Sequence, residues 1–485
     1  MSNDKQGIWS SPLASSKIKS SDVKLPEMLL GYLIGPFGAL LSSGIFTSFL
    51  NKYFTDVLLL DTGFLSGLQL VSTLLIVAAN LIVGQLIERT RTLAGKARPW
   101  VLLSALTLSV ASVLMFIVPF TGVVKMIWIA IAYNLYYAVA YPIYNTANST
   151  LIPVSTRNSQ QRAGLASFTN IAGLGVMGVG SMIFPMLVSN VMKEDQNMWF
   201  LVMLGVAIFT ALTIYLQFMF TRERVTEENM SGAAVVEEQA GAPSIGDQLK
   251  AVTSERWWWI AILFYMVFQC SGAMKNGSMS YFCQWVVDSS GFGGDYGMVQ
   301  SILAILGAIP MAAAAAVVVP LANKFGKRMV TCAGMLVGVV GGVIAGLGNG
   351  AIVPVAIGVA LKCLGSAPAA YLILAMLADV IDHIEYKSHI RTDGLTMSIY
   401  SSIMVAATPI CNAIFMAMLG SAGYVPPDAA ATVVAQTAAV QQTISVSYIW
   451  IETVAYAVCA LLIFLWTVEK NLPEEQAAIA ARKQA

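Results

Sequence analysis

Three charged residues stand inside otherwise apolar stretches of this chain: Lys275, Lys362 and Glu452. A charge in hydrocarbon is costly, so such residues pair with one another or line a wet cavity, and they mark functional sites. A carboxylate among ammonium groups can take up and release a proton, and the lysines can hold an anionic or hydroxylated ligand. Lys362 lies ten residues into the stretch that begins at Ile352, and Glu452 about nine into the one that begins at Thr443. At about 1.5 Å per helical residue, each sits roughly 15 Å deep, near mid-membrane. Equal depth predicts a Lys362–Glu452 pair, serving either as a tie between helices or as a working group. Lys275 follows Trp257 by about 18 residues and is expected nearer the outer face, docking a ligand or snorkelling outward. Its neighbours Gly272 and Gly277 suggest a helix able to open locally.

A second constellation is uncharged. Asn134, Tyr137, Tyr141, Asn145 and Asn148 recur every three to four residues and so share one helical face. Amides, hydroxyls and rings on one face suit the hydroxyl groups and apolar faces of a sugar, and five of them exceed what packing needs. Ser42, Ser43, Thr47, Asn80, Thr169 and Asn170 lie where they can join this face. For Ser42, Thr169 and Asn170 helix packing is the simpler reading. The six cysteines fall in apolar stretches without a CxxC and read as packing residues.

The elements that position these groups follow from hydropathy. Hydrophobic residues make up 57% of the 485 and charged residues 11%. Apolar stretches long enough to cross about 30 Å of hydrocarbon begin near Met28, Gly63, Pro99, Val124, Ala163, Asn197, Trp257, Gly297, Met329, Ile352, Leu395 and Thr443. The chain thus reads as an all-α membrane protein with 12 transmembrane helices in two six-helix halves. The divisions are an N-terminal tail 1–26, a bundle 27–220, a central loop 221–256, a second bundle 257–468 and a C-terminal tail 469–485. Of the 27 lysines and arginines, 22 fall in the tails and alternate loops of one side. Three (Lys52, Lys125, Lys193) fall on the other side and two within spans. That asymmetry places both termini in the cytoplasm. A net charge of +1 leaves no basic face for nucleic acid. The first 26 residues lack the apolar core of a signal peptide. No cofactor is implied, and the two histidines, His383 and His389, come with no converging metal-ligand cluster. No nucleophile–base pair suggests an enzyme.

Both halves carry a basic, glycine-containing turn after their second span: Ala94-Gly95-Lys96-Ala97-Arg98-Pro99-Trp100 and Asn323-Lys324-Phe325-Gly326-Lys327-Arg328. Two six-span halves with such turns point to the major facilitator architecture, in which halves rock about a midplane site. Two further segments sharpen this: Ala378-Asp379-Val380-Ile381-Asp382-His383-Ile384-Glu385-Tyr386-Lys387 running to Arg391-Thr392-Asp393-Gly394, and Tyr53-Phe54-Thr55-Asp56-Val57. Together with Gly423-Tyr424-Val425-Pro426, the chain resembles the glycoside–pentoside–hexuronide:cation symporters along nearly its whole length.

The resemblance implies a bacterial plasma-membrane permease that imports a sugar or glycoside by alternating access. A lysolipid-carrying side branch is the rival, against which the polar fourth span speaks. Departures matter as well. The resemblance places the family's paired cation-binding aspartates at Ile76 and Asn80, their lysine partner at Val405, and the sugar-binding aspartates at Leu40 and Asn145. Sodium coupling of that type is therefore not expected. Either a proton carried by Glu452 with Lys362 as its coupling partner or uncoupled, facilitative transport takes its place, and Lys275 and Lys362 join Tyr137, Tyr141, Asn145 and Asn148 as expected substrate ligands. Two lysines against one carboxylate favour an acidic glycoside such as a hexuronide. Arg89, Arg98, Asp379, Asp382 and Arg391 are expected as inner gate charges, the two aspartates most firmly by resemblance.

Overall fold

The computed structural model describes residues 15–90, 92, 94–230, 245–390, 392–427 and 436–484. Twelve spans follow one another. The first six are α1 (Glu27–Val57), α2 (Thr62–Arg89), α3 (Arg98–Leu114), α4 (Gly122–Ser155), α5 (Ser159–Leu187, continued by Val188–Met192) and α6 (Gln196–Met219). The second six are α7 (Arg256–Trp285), α8 (Tyr296–Phe325), α9 (Lys327–Leu347), α10 (Ile352–Ser388), α11 (Asp393–Ser421) and α12 (Ala438–Lys470). Ten are long and apolar enough to cross a bilayer unaided; α3 and the apolar end of α5 are shorter. Short helices Ile245–Thr253 and Leu472–Gln484 precede α7 and follow α12. The chain divides into two units, α1–α6 and α7–α12, except that Asp61–Ser66 and Pro185–Asn190 group with the second.

Two expectations are corrected here. The first concerns Lys52, counted among the outer-side charges: α1 runs past it through a π turn, Tyr53–Val57, at its outer end. Lys52 is therefore buried at 4% exposure with Asp56 beside it. The second concerns α10, which is 37 residues long and stops only at His389, whose φ of +60° breaks it. Asp379, Asp382, His383 and Glu385 thus stand on a helix, not in a loop.

Within the second unit, glycine lets α9 lie directly on α10. A Cβ at Gly341 would come within 2.7 Å of the Gly358 carbonyl, and one at Gly334 within 2.6 Å of the Gly365 carbonyl. In lipid, where apolar surface gains nothing by leaving its surroundings, such close approach is what holds helices together.

The echo between the two basic turns has a structural counterpart. In the first unit the buried Glu223 carboxylate accepts from the backbone N–H groups of Lys96 (2.7 Å), Ala97 (2.8 Å) and Arg98 (2.7 Å) at the start of α3. The Arg98 guanidinium donates to the Phe218 carbonyl (2.9 Å) near the end of α6 and stacks on the Phe218 ring. In the second unit Glu469 accepts from the N–H groups of Lys327 (2.7 Å) and Arg328 (3.2 Å) at the start of α9. Arg328 there donates to the Phe464 carbonyl of α12 (3.1 Å from Nε) and stacks on Phe464. A carboxylate at a helix N-terminus satisfies orphan donors and meets the positive end of the helix dipole. Glycine is required at both turns. Gly95 (φ +116°) and Gly326 (φ +87°) adopt backbone conformations that other residues avoid, and a Cβ would press on the Glu223 or Glu469 carboxylate.

Candidate functional site

Glu452 sits two residues beyond a π turn, Val446–Trp450, inside α12. A π turn shifts the hydrogen-bond ladder of the helix that contains it. Here the carbonyls of Ile449 and Tyr448 accept from Lys362 Nζ at 3.2 and 3.4 Å. Lys362 Nζ also forms an ion pair with Glu452 Oε2 at 2.5 Å, the two side chains 3% and 1% exposed. The other carboxylate oxygen, Oε1, faces Lys275 Nζ of α7 at 3.1 Å and accepts from the Tyr456 hydroxyl at 2.7 Å.

The expected Lys362–Glu452 pair is therefore present, and Lys275 joins it instead of reaching outward. A lysine stem spans more than one helical turn of height, so counting rise per residue misjudged where its charge would lie. The three groups carry a net charge of +1. Breaking such a buried cluster leaves an uncompensated charge, which is far costlier than the pair is stabilising. Lys275 is the exposed member, its side chain 21% accessible, and so the one a ligand can reach.

In the first unit, α4 turns through a π segment, Leu135–Ala140, in the middle of its polar stretch. Tyr137, Tyr141, Asn145 and Asn148 are half-buried. The Tyr141 hydroxyl pairs with Ser43 of α1. Asn148 accepts from Gln217 Nε2 of α6 at 2.6 Å, and Gln217 in turn accepts from the Tyr144 hydroxyl at 3.2 Å. Asn134 donates to its own helix at the Ala130 carbonyl, and Asn80 likewise to Ile76, so neither amide nitrogen is turned to a ligand. Gln217 was missed by sequence reasoning. Its signal was the polar spacing Thr210, Thr213, Gln217 along α6.

The other omission is the outer end of α1. Lys52 and Asp56 form an i,i+4 ion pair at 3.2 Å, and Thr55 donates to Asp56 at 2.8 Å. Gln69 of α2 donates to Asn51 at 2.7 Å, while Asn51 Nδ2 and Gln69 Oε1 are buried without partners. This is a second intramembrane charge pair where only three such residues were expected.

Of the expected gate charges, Arg89 is exposed at the end of α2. Arg98 is buried and held by the Phe218 and Ala94 carbonyls, fastening α3 to α6. Asp379 pairs with Lys327 at 2.5 Å, and Asp382 accepts from Gln476 of the C-terminal helix at 2.8 Å. Arg391 lies outside the described residues.

Residues 31–470 match the family model described as MFS/sugar transport protein. The chain is 28% identical to the isoprimeverose transporter of Lactiplantibacillus pentosus over 458 residues, covering 91% of this chain and 89% of that one. It is 30% identical over 246 residues to a putative glycoside/cation symporter of Escherichia coli (strain K12), about half of each chain. Among solved structures, a peptide transporter in complex with sulfate aligns with a TM-score of 0.63 at 13% identity, covering 96% of this chain and 97% of that one. At that identity the likeness is one of fold.

Proposed function

The chain belongs to the MFS/sugar transport family, and from that premise we propose a sugar or glycoside permease whose cargo and proton meet at the Lys275–Glu452–Lys362 cluster. It is a multi-pass membrane protein and a secondary transporter of the sugar and glycoside class. The basic-residue asymmetry supports cytoplasmic termini. The observation that carries the site assignment is one carboxylate shared by two ammonium groups deep within the bundle.

Coupling follows from competition for Lys275. With Glu452 ionised, Lys275 is held by the carboxylate. A substrate carboxylate or hydroxyl that takes Lys275 leaves Glu452 with one cation fewer, so proton uptake by Glu452 and substrate binding favour each other. This reciprocity is what links a proton gradient to cargo accumulation. The surplus positive charge favours an acidic glycoside. Polar groups of α4, Tyr137, Tyr141, Asn145 and Asn148, are of the kind that serves sugar hydroxyls. Arg89, Asp379, Asp382 and Arg391 are proposed as inner charges that this cycle makes and breaks, whereas Arg98 stays fastened to α6.

Counterflow in proteoliposomes tests the reading. Vesicles preloaded with a glucuronide are expected to take up labelled glucuronide faster than vesicles preloaded with isoprimeverose take up that neutral sugar. Acidifying the exterior is expected to accelerate net glucuronide entry. Equal counterflow of both sugars, unaffected by pH, would remove the acidic-cargo and proton assignments. Counterflow by neither sugar, with exchange of a lysolipid instead, would remove the sugar site.

A further inference from the structure

On the bilayer-facing side of the second unit, α8, α9 and α10 enclose a trough of about 570 Å³. Its floor is built of small groups, Ala314, Gly334, Gly365 and Pro368, where α9 and α10 approach too closely for side chains. Its walls are Leu321, Phe325, Met329 and Leu364, each between 38% and 57% exposed. Every lining residue is apolar, so the trough offers no partner to a sugar or to ordered water.

One end of the trough carries a charge. Lys324, exposed in the last turn of α8, places its ammonium 5.2 Å from the centroid of the Phe325 ring that forms the wall. Its basic neighbours are engaged, Lys327 with Asp379 and Arg328 with the Phe464 carbonyl. Among the described residues no carboxylate pairs with Lys324. An exposed apolar channel that ends at a cation in the last turn of a membrane-spanning helix is complementary to an acyl chain with an anionic head.

We propose that the trough seats an acyl chain of an anionic phospholipid whose phosphate pairs with Lys324. The lipid is a bound component of the bilayer-facing wall and not cargo, since the trough lies outside the Lys275–Glu452–Lys362 site. A zwitterionic lipid has the same chain but a headgroup that gives Lys324 less attraction.

Native mass spectrometry of the purified full-length protein, with phosphatidylglycerol and phosphatidylcholine of identical acyl chains, tests this. The parent is expected to retain one phosphatidylglycerol in preference to phosphatidylcholine. Lys324→Gln is expected to reduce that preference about fivefold while leaving chain binding. Ala333→Phe, at an exposed position lining the trough, is expected to displace both lipids. Equal retention of the two lipids by the parent overturns the headgroup assignment, as does an unchanged preference in Lys324→Gln. Parent-level retention by Ala333→Phe overturns the trough as the seat. A melting-temperature rise on adding phosphatidylglycerol, present in the parent and absent in Ala333→Phe, gives an independent readout.

Discussion

Replacing Glu452 by glutamine is expected to abolish sugar accumulation driven by a pH gradient while exchange of preloaded sugar continues. The amide keeps the size of the side chain and its contact with the Tyr456 hydroxyl, but it cannot take up a proton. Exchange requires only that the loaded site alternate between the two faces; accumulation requires the proton. Uptake against a gradient that persists in Glu452→Gln would move the coupling group elsewhere, and Asp56 is then the next carboxylate to examine.

The same cluster makes a stability prediction. Glu452→Leu strands the Lys362 ammonium, which is 3% exposed, and is expected to destabilise the protein by about 3–5 kcal/mol. Adding Lys362→Leu removes that charge and is expected to restore most of the loss, since an apolar pair in place of a buried ion pair is near neutral and the Lys275 ammonium that remains is partly exposed. Unfolding in mixed micelles measures both. The doubly substituted protein should fold and fail to accumulate sugar. If the single and double variants are equally unstable, the cluster is not held together by its charges.

The second large effect concerns the carboxylates at the starts of α3 and α9. Glu223→Ala deprives three backbone N–H groups of a charged acceptor at once. Hydrogen bonds to a charged group contribute about 1.5–3 kcal/mol each, and the loss is not additive because water can reach the inner ends. A destabilisation of about 3 kcal/mol is expected for Glu223→Ala. A smaller one is expected for Glu469→Ala, which loses two such bonds. Chemical denaturation followed separately in the two variants checks the order. A larger loss for Glu469→Ala would contradict the bond count.

Hydropathy revealed the spans because a bilayer demands long apolar helices whatever else they do. Depth counting found the Lys362–Glu452 pair because both residues approach mid-membrane along helices of the same direction. It failed for Lys275, whose long flexible stem separates its charge from its Cα. Lys52 was counted with the outer-side charges because a charged residue near a stretch's end reads as facing water, and nothing in Lys52-Tyr53-Phe54-Thr55-Asp56 announces the π turn that buries it beside Asp56. The continuation of α10 through Asp379 and Asp382 was hidden for the same reason, since charge density suggested a loop where a long helix emerges from the bilayer. The matching roles of Glu223 and Glu469 could not be seen in sequence, because each lies more than 120 residues from the turn it holds.

The paired fastenings bear on how the molecule can move. With Glu223 and Arg98 tying the first turn of α3 to the last of α6, and Glu469 and Arg328 doing likewise for α9 and α12, each couple must travel as one plank. Bending is then left to places where the ladder is already out of step, the π segments of α1, α4, α5 and α12, and the last of these adjoins Glu452. Flexure there would alter the grip of the Tyr448 and Ile449 carbonyls on Lys362, so the stroke of the helix and the partners of the charge would change together.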